Sequence, residues 1–468
     1  MIYPKLDECL VRGQENDYYL QSYKSGEEYH IDNFHAKILW LCNGGESVKS
    51  IAKKLNLDER ELKKFLDYYE GAGLIEYKNY SLKDKFPEFS MSPCLEEVQI
   101  EATGKCNLHC KHCYGKEAFI RSSEKSMNLR ELESALDQMR EANVGKCFLS
   151  GGEIFTRKDL PDIIGLISDR KIHISGIFTN GTIFRQEVID ALGQCGIFTH
   201  FLVSIDSHIQ EIHDYIRGSG SFEKTISFIR EARTRGIKVT VNTVAMKPSV
   251  NSLFPMKKFL TELGVSLWRI SVPREQGEVI ANKHLIEPSW PEIFALYRQL
   301  LLHKLERPGG MKLQLSSIFR SDFLDDKRYY LYNENNACCQ YKRWSLVMTA
   351  DGNLIPCPAG FNVVFGNIKE DSLLDVWHSE RTQVFKTLPV KATECLECGI
   401  KEYCGAGCRI SAKYLHGSYL AKDENACPLY GFFKENIQPI LAEHNIFAKK
   451  LKGESCDYDY KIINQLFA

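Results

Sequence analysis

ATGKCNLHCKHCYG, residues 102–115, is the stretch on which both fold and chemistry turn. It sets Cys106, Cys110 and Cys113 at the spacing C-x3-C-x2-C, just past a candidate strand at 97–102. Three thiolates on one short loop can grip three corners of a cubane iron–sulfur cluster and leave one iron open. An open metal position is where chemistry takes place rather than structure. On spacing alone a zinc site completed by His109 or His112 is the alternative, since cysteine and histidine suit both metals.

Outward from that loop, residues 95–310 alternate strand and helix. Candidate strands fall at 97–102, 146–150, 173–178, 200–205, 238–244 and 267–271, with helical patterns such as Leu129–Ala142, Leu160–Ser168 and Ser221–Arg235 between them. Six strand-then-helix repeats predict an α/β fold with a parallel sheet, open or curled into a partial barrel. Such sheets bind ligands at the C-terminal ends of their strands. Upstream, residues 1–85 predict short strands at Val11–Gln14, Tyr18–Ser22, Tyr29–Asp32 and Leu74–Tyr77 around helices at Phe34–Leu41, Val48–Leu55 and Arg60–Gly71. Leu62, Phe65, Leu66 and Tyr69 fall on one face of the last helix, and Asp58 is its expected N-cap. This is a small winged-helix arrangement. A DNA binder would need a basic recognition helix, whereas Arg60, Lys63 and Lys64 are balanced by Glu61, Asp67 and Glu70. A linker at 81–93 separates the two regions. Residues 330–440 have little hydrophobic periodicity and many cysteines, as in regions held together by metal. The tail at 441–468 reads as a solvated end.

Composition narrows the class. Among 468 residues, Lys+Arg total 60 and Asp+Glu 61, for a net charge of -1, which excludes a basic nucleic-acid coat and an acidic disordered tail. Mean hydropathy is -0.29, and no run of 18 apolar residues predicts a transmembrane helix. The first residues lack the basic-then-apolar pattern of a signal peptide, so a cytoplasmic protein is expected. Seventeen cysteines are then anomalous, because cytoplasmic disulfides are rare and clustered cysteines point to metal or redox chemistry. Cys9, Cys42, Cys147 and Cys195 stand alone and read as small buried hydrophobes.

The Cys106/Cys110/Cys113 loop after the first of six repeats resembles that of the radical S-adenosylmethionine (SAM) enzymes. Ser150-Gly151-Gly152-Glu153, ending the second strand, is similar to that family's Gly-Gly-Glu element, which binds the SAM amino group. Glycines admit close backbone approach, and a carboxylate or carbonyl accepts from an ammonium. Asn180 ends the third strand and Ser204 the fourth, and HIQEIHDYIRGSGSF after it is similar to the family's H-D-x-x-R-G element. The resemblance implies that Ser204 and Arg217 hold the SAM carboxylate and ribose. It implies that Tyr114 lies near the adenine, with Asn242 a further cofactor contact. A surface ion pair is the plainer reading of Arg217.

A second constellation runs Cys338-Cys339, Gly352-x4-Cys357, Cys395-x2-Cys398-x5-Cys404-x3-Cys408, then Cys427. It resembles the SPASM extension of radical SAM enzymes; two zinc ribbons are the alternative. The resemblance implies two auxiliary [4Fe–4S] clusters, three in all. Cys395, Cys398, Cys404 and Cys427 would hold one. Cys357, Cys408 and one or both of Cys338 and Cys339 would hold the other, with an open iron expected because adjacent cysteines rarely suit two corners of one cubane. Pro358 stands where sulfatase maturases have an Asp base, which argues against formylglycine formation.

The N-terminal segment is similar to the recognition element of peptide maturases, itself like the pyrroloquinoline-quinone chaperone, on Tyr18–Leu20, His35–Gly44, Ser47–Ala52 and Leu74-Ile75-Glu76. Such domains capture a leader peptide as an added strand. The resemblance as a whole implies a 5′-deoxyadenosyl radical taking hydrogen from a precursor peptide, with a flavodoxin or ferredoxin as reductant. It implies a Cys thioether as product, as in sactipeptide-type maturases. Carbon–carbon or ether crosslinks, epimerisation with Cys195 or Cys94 as hydrogen donor, and a catalytically dead scaffold are the alternatives.

Overall fold

The computed structural model describes residues 2–6, 9–14, 17–81, 95–339, 343–452 and 458–467. The first 78 residues hold five short strands and three helices. Strand β1 (Tyr3–Leu6), which the sequence pattern does not reveal, pairs antiparallel with β5 (Ile75–Lys78). Between them β2 (Cys9–Gln14), β3 (Asp17–Ser22) and β4 (Glu28–Ile31) form a three-stranded antiparallel sheet in that order. The helices Asn33–Leu41, Val48–Leu55 and Glu59–Gly71 are capped by the side chains of Asp32, Ser47 and Asp58, each accepting from a first-turn N–H. Val11, Leu20, Ile38, Leu39, Ile51, Leu62, Leu66 and Ile75 close a core of their own. The linker at 81–93 lies outside the described residues apart from Ser81.

The main sheet is built from β6 (Glu97–Thr103), β7 (Lys146–Gly151), β8 (His173–Thr179), β9 (His200–Ser204), β10 (Lys238–Val244), β11 (Leu267–Ser271) and β12 (Lys312–Leu315). All seven are parallel and each lies beside the next in sequence. Parallel crossovers are right-handed, so an order that never reverses sets every connecting helix on one face. Leu132, Ile163, Leu192, Ile229, Leu260 and Leu300 from those helices share one core with Val98, Ile100, Leu149, Phe201 and Val241 of the strands. Phe155, Phe201 and Phe228 interlock at its centre, with ring centroids 5.2–5.9 Å apart. Burial of each such ring contributes about 1.5–3 kcal/mol. The opposite face of the sheet mixes polar and apolar side chains: Gln99 donates to Ser150 at 2.9 Å, Glu101 stands two residues on, and Phe148 meets Phe178 at 5.7 Å.

Past β12 come β13 (Phe319–Arg320), antiparallel to it, then β14 (Arg328–Leu331), β15 (Ser345–Met348), β16 (Asn353–Ile355) and β17 (Gly366–Asn367). Here the sequence expectation is corrected. The third region does not depend on its cysteines alone, because β15 joins the main sheet, parallel to β6 from Ser345 opposite Glu97 to Met348 opposite Ile100. The sheet thus has eight parallel strands, and β16 and β17 extend it antiparallel. SLVM is buried at all four positions, so it lacks the alternation that marks a half-exposed strand.

The tail is corrected too. Strand β18 (Phe447–Lys450) pairs parallel with β14, and Asn333 and Asn336 donate to Leu451 O and Lys452 O at 2.9 and 2.7 Å. Ile463 and Phe467 are buried, and Phe467 meets Phe365, Phe385 and Tyr419 at 5.7, 5.7 and 5.9 Å. Among the described residues no helix is long and apolar enough to cross a membrane.

The N-terminal domain sits on the rim where the barrel strands begin. Arg12 donates to Leu95 O at 3.1 Å and also to Asn143 O. Gln21 reaches Gly145 O at 3.2 Å, His173 reaches Tyr23 O at 3.0 Å, and Phe198 N reaches Lys24 O at 3.1 Å. That leaves β4 as an edge strand, next to an aromatic surface in which His35, Phe65 and Tyr69 stack in sequence and Phe34 and Tyr68 are 52% and 75% exposed.

Phe467→Ala is expected to lower the stability of the core by about 3 kcal/mol through the cavity it leaves. A chemical-unfolding midpoint equal to that of the parent would show the tail to be the solvated end the sequence suggests.

Candidate cysteine-lined active site

The loop 102–115 lies at the opposite rim, where the strands end. It is fixed by backbone contacts from three sides. From β7, Gly152 N donates to Thr103 O and Glu153 N to Lys105 O, both at 2.8 Å. Lys111 N donates to Ile216 O at 2.9 Å, from the helix Gln210–Arg217 after β9. Beyond β11, Glu278 N donates to Cys113 O at 3.0 Å and Asn282 to Lys111 O at 3.1 Å. The expected glycines have a physical use here. Gly151 has φ +149°, and a Cβ on it would stand 2.3 Å from Thr103 O; one on Gly152 would stand 2.5 Å from Lys105 O. Both let the β7 turn close onto the cysteine loop itself.

Glu153 and Asn180 are both tied into the protein around the cysteine loop. The Glu153 carboxylate is buried and accepts from Thr179 Oγ1 (2.8 Å), Phe155 N (3.1 Å) and Asn180 N (2.6 Å), with its pKa raised by burial. It braces the β8 turn, whose Asn180 carbonyl accepts from Thr225 Oγ1 at 2.9 Å. Asn180 donates to Asn107 Oδ1 at 2.9 Å and accepts from Thr182 N, tying the same turn to the cysteine loop. Ser204 ends β9 opposite Asn242 of β10, whose carbonyl accepts from Ile205 N at 3.0 Å. Tyr114 stacks toward Phe361 at 6.2 Å.

Arg217 is not on the surface. It is buried, and its Nε donates to Asp206 Oδ2 at 2.7 Å. Burial alone would raise the Asp206 carboxyl, but Arg217, His112 and His213 outweigh it and hold the group below the ordinary range. His112 lies 3.6 Å from that carboxylate and 3.4 Å from Arg217 Nη2, and burial pushes it down to about 4, so it is neutral. All three thiols are raised by burial, Cys110 to about 12, and Arg217 opposes the shift in each. Bringing these sulfurs to the thiolate form therefore needs a bound cation beyond Arg217. At the inner face of β6, burial and the Asp351 carboxylate push Glu101 up to about 8, so it is largely protonated at neutral pH.

The other cysteines gather in two places. Cys395, Cys398, Cys404 and Cys427 are electrostatic neighbours of one another, the set that the SPASM resemblance implies. Buried Arg409 lies beside Cys395, with its donors on Tyr419 O (2.9 Å), Ala421 O (2.7 Å) and Ala406 O. Cys357 and Cys408 form the second pair, with Arg274 Nη1 3.9 Å from Cys408 Sγ. The placement of Cys338 differs from expectation. Its neighbours are Arg409, Cys339, Cys395 and Cys404, and Tyr332 and Tyr430 sense Cys339 together with Cys404. Cys338 is buried while Cys339 is exposed, as a backbone step through two consecutive residues requires. Asp423 spans both groups: its carboxylate accepts from Cys408 N at 2.7 Å, and its carbonyl accepts from Cys427 Sγ at 3.4 Å.

No disulfide joins the described cysteines to one another; Cys94 and Cys456 lie outside the described residues. Cys9, Cys42 and Cys147 are buried among apolar side chains, and half-buried Cys195 packs against the main core. A zinc site draws its ligands to within about 4 Å of each other. Among the described residues no three His, Cys, Asp or Glu side chains are placed to hold a single metal ion. Asp206, Arg274, Glu278, Arg409 and Asp423 carry no signal by motif. Only Arg409, which adjoins Cys408, had a position that invited notice.

Residues 100–251 match the model of the radical SAM superfamily, and residues 338–399 match SPASM, an iron–sulfur cluster-binding domain. The PqqA peptide cyclase of Xanthomonas campestris pv. campestris (strain 8004) is 25% identical over 331 residues, 70% of this chain and 85% of that protein. That of Streptomyces rochei is 24% identical over 336 residues, 70% and 88%. Among solved structures, Streptococcus suis SuiB bound to precursor peptide SuiA superposes with TM-score 0.66 at 16% identity, over 91% of this chain and 99% of that one. Native anSMEcpe with bound AdoMet gives 0.60 at 19%, over 75% and 98%. The chain is thus built on a radical SAM core followed by an iron–sulfur SPASM domain.

Asp206→Asn leaves the Arg217 charge buried without a counterion and is expected to cost about 3–5 kcal/mol. The check is a chemical-denaturation curve; a variant as stable as the parent would remove the ion pair from this account.

Proposed function

We propose that this protein matures a ribosomally made precursor peptide by radical SAM chemistry, forming a thioether between a cysteine sulfur and a peptide carbon. The observation that carries the reading is the meeting of two cysteine sets at one rim. Within a few residues after β11, Arg274 reaches Cys408, Gln276 donates to Ala359 O at 3.1 Å, and Glu278 N holds Cys113 O. A peptide at the mouth of the sheet would thus lie against both.

Cys106, Cys110 and Cys113 would hold a [4Fe–4S] cluster, and Cys395, Cys398, Cys404 and Cys427 a second. Cys357 and Cys408 would supply part of a third. With cluster and SAM bound, the site supplies one-electron cleavage of the sulfonium and a carbon radical able to remove hydrogen from a peptide. A flavodoxin or ferredoxin is the proposed electron source. The chain's own contribution is placement. The Gly151–Gly152 backbone, braced by Glu153, would receive the SAM amino group. Ser204, Asn242 and Arg217 would line its carboxylate and ribose side, and Tyr114 its adenine. Pro358 has no side-chain group able to accept a proton, so the base needed for formylglycine formation is missing at that position.

The N-terminal domain is proposed to capture the leader of the precursor. The open edge of β4 can accept a further strand, and Phe34 and Tyr68 beside it offer exposed aromatic anchors. A second reading, cyclisation of a peptide through another bond, is favoured by the name of the peptide cyclases that match over 70% of the chain.

Two measurements test this. Cys106→Ala, Cys110→Ala and Cys113→Ala are each expected to abolish 5′-deoxyadenosine formation after anaerobic reconstitution; retained formation in all three would defeat the assignment. Co-expression with a small Cys-containing peptide, followed by alkylation and intact mass, is expected to show loss of two hydrogens per link and a Cys closed to alkylation. The same mass loss with every Cys still alkylatable would select the second reading. In that assay the double variant Phe34→Ala/Tyr68→Ala is expected to reduce modification about thirtyfold, because truncating aromatic anchors costs ~2 kcal/mol. Unchanged modification would assign the domain another task.

A further inference from the structure

Closing a link by the loss of two hydrogens leaves a proton to be placed, and Pro358 takes none. Most carboxyl groups around the two cysteine sets are already committed. Glu153 accepts from three donors, and Asp206 pairs with Arg217. Asp351 accepts from Thr349 Oγ1 at 2.6 Å and from Asn353 Nδ2 at 3.1 Å. Glu278 is held by Lys116 at 2.9 Å, and Asp423 by Cys408 N and the Ser411 hydroxyl at 2.7 Å each. Glu101 is different. It is 2% exposed, and no described residue donates a hydrogen bond to its carboxyl.

The pleat of β6 sets its direction. Ile100 packs into the core beneath the helices, so Glu101 lies on the other face with Gln99, opposite Ser150 of β7. Tyr114 of the cysteine loop is a neighbour of Glu101 and of the Cys357 sulfur at once. Asp351, the other titratable group facing Glu101, opens the turn into β16 on the way to Cys357. The Glu101 carboxyl therefore stands between the first cysteine loop and the hairpin that leads to Cys357. Burial and the Asp351 charge push it up to about 8, close to working pH, where a carboxyl both takes and releases a proton.

We propose that Glu101 is a catalytic residue, the acceptor of the proton that the peptide loses as its link closes. This rests on the reading that the chain links a peptide by radical SAM chemistry, but not on which bond forms. One hydrogen leaves a peptide carbon as an atom and ends on 5′-deoxyadenosine. In a thioether the second leaves the cysteine S–H as a proton to a Glu101 Oε. The remaining electron goes to an oxidised iron–sulfur centre of the later cysteines, which is reduced. One C–H and one S–H bond break and one C–S bond forms. In a carbon–carbon or ether link a C–H or O–H takes the place of the S–H, with the same count.

The test uses the reconstituted full chain and the small Cys-containing peptide of the alkylation assay, deuterated at carbon. Deuterium carried into 5′-deoxyadenosine reports hydrogen removal, and peptide mass reports the link. If the parent passes no deuterium or forms no link, the peptide reading itself fails and the proposal falls with it. If it does both, Glu101→Gln is expected to keep passing deuterium while link formation drops about a hundredfold, the weight of a general base. Glu101→Asp, which keeps a carboxyl, is expected to recover part of that loss. Undiminished link formation in Glu101→Gln overturns the proposal. Loss of deuterium transfer in step with link formation in both variants also overturns it, by showing that Glu101 supports the site and moves no proton.

Discussion

A sulfur that binds metal inside protein gives up its proton there, and the resulting charge has to be met by a cation nearby. That constraint governs more of this chain than the metal-binding regions alone. Arg217 closes the helix after β9, Arg274 follows β11, and Arg409 opens the helix behind Cys408. Each is fixed by an element that would serve another purpose in a protein without buried thiols. Burial holds His112 neutral beside the Arg217–Asp206 pair. The helix, the turn after β9 and the cysteine loop are therefore one electrostatic unit, and a change in any of them alters the other two.

The uninterrupted strand order does the remaining work of assembly. With all helices on one face, the other face is free to carry polar side chains, and the strand ends collect on one rim. The cysteine loop then needs only short backbone links to β7, to the helix after β9 and to the segment after β11. Two glycines permit the first of these links. The same sheet accepts β15 at its β6 edge, so the auxiliary cysteines are carried on an extension of the core rather than on an appended module.

Legibility followed signal strength in the sequence. The strands from β6 to β11 and the helices between them carry strong periodicity, and their bounds fall within a residue or two of the pattern. The grouping of the later cysteines came from the resemblance to the SPASM extension, and Cys338 departs from it. Its side depends on how a two-residue step is oriented, which spacing does not encode. Strands β15 and β18 carry no alternating pattern, since the first is buried at all four positions and the second exposed at all four. The tail lacked a pattern because its buried residues, Tyr460, Ile463 and Phe467, fill hollows made by distant elements. Arg274 and Asp423 belong to the same class: their meaning lies in neighbours more than a hundred residues away or in a turn that only the fold defines.

The two rims of the sheet have different owners. The N-terminal domain is bonded where the strands begin, at Leu95, Asn143, Gly145, His173 and Phe198, while the cysteine loop stands where they end. Seven residues of β6 span roughly 23 Å. A chain gripped at the first rim and worked on at the second would be under a ruler: reach, set by tether length, selects which residue arrives at the cysteines, and local sequence selects among those within reach.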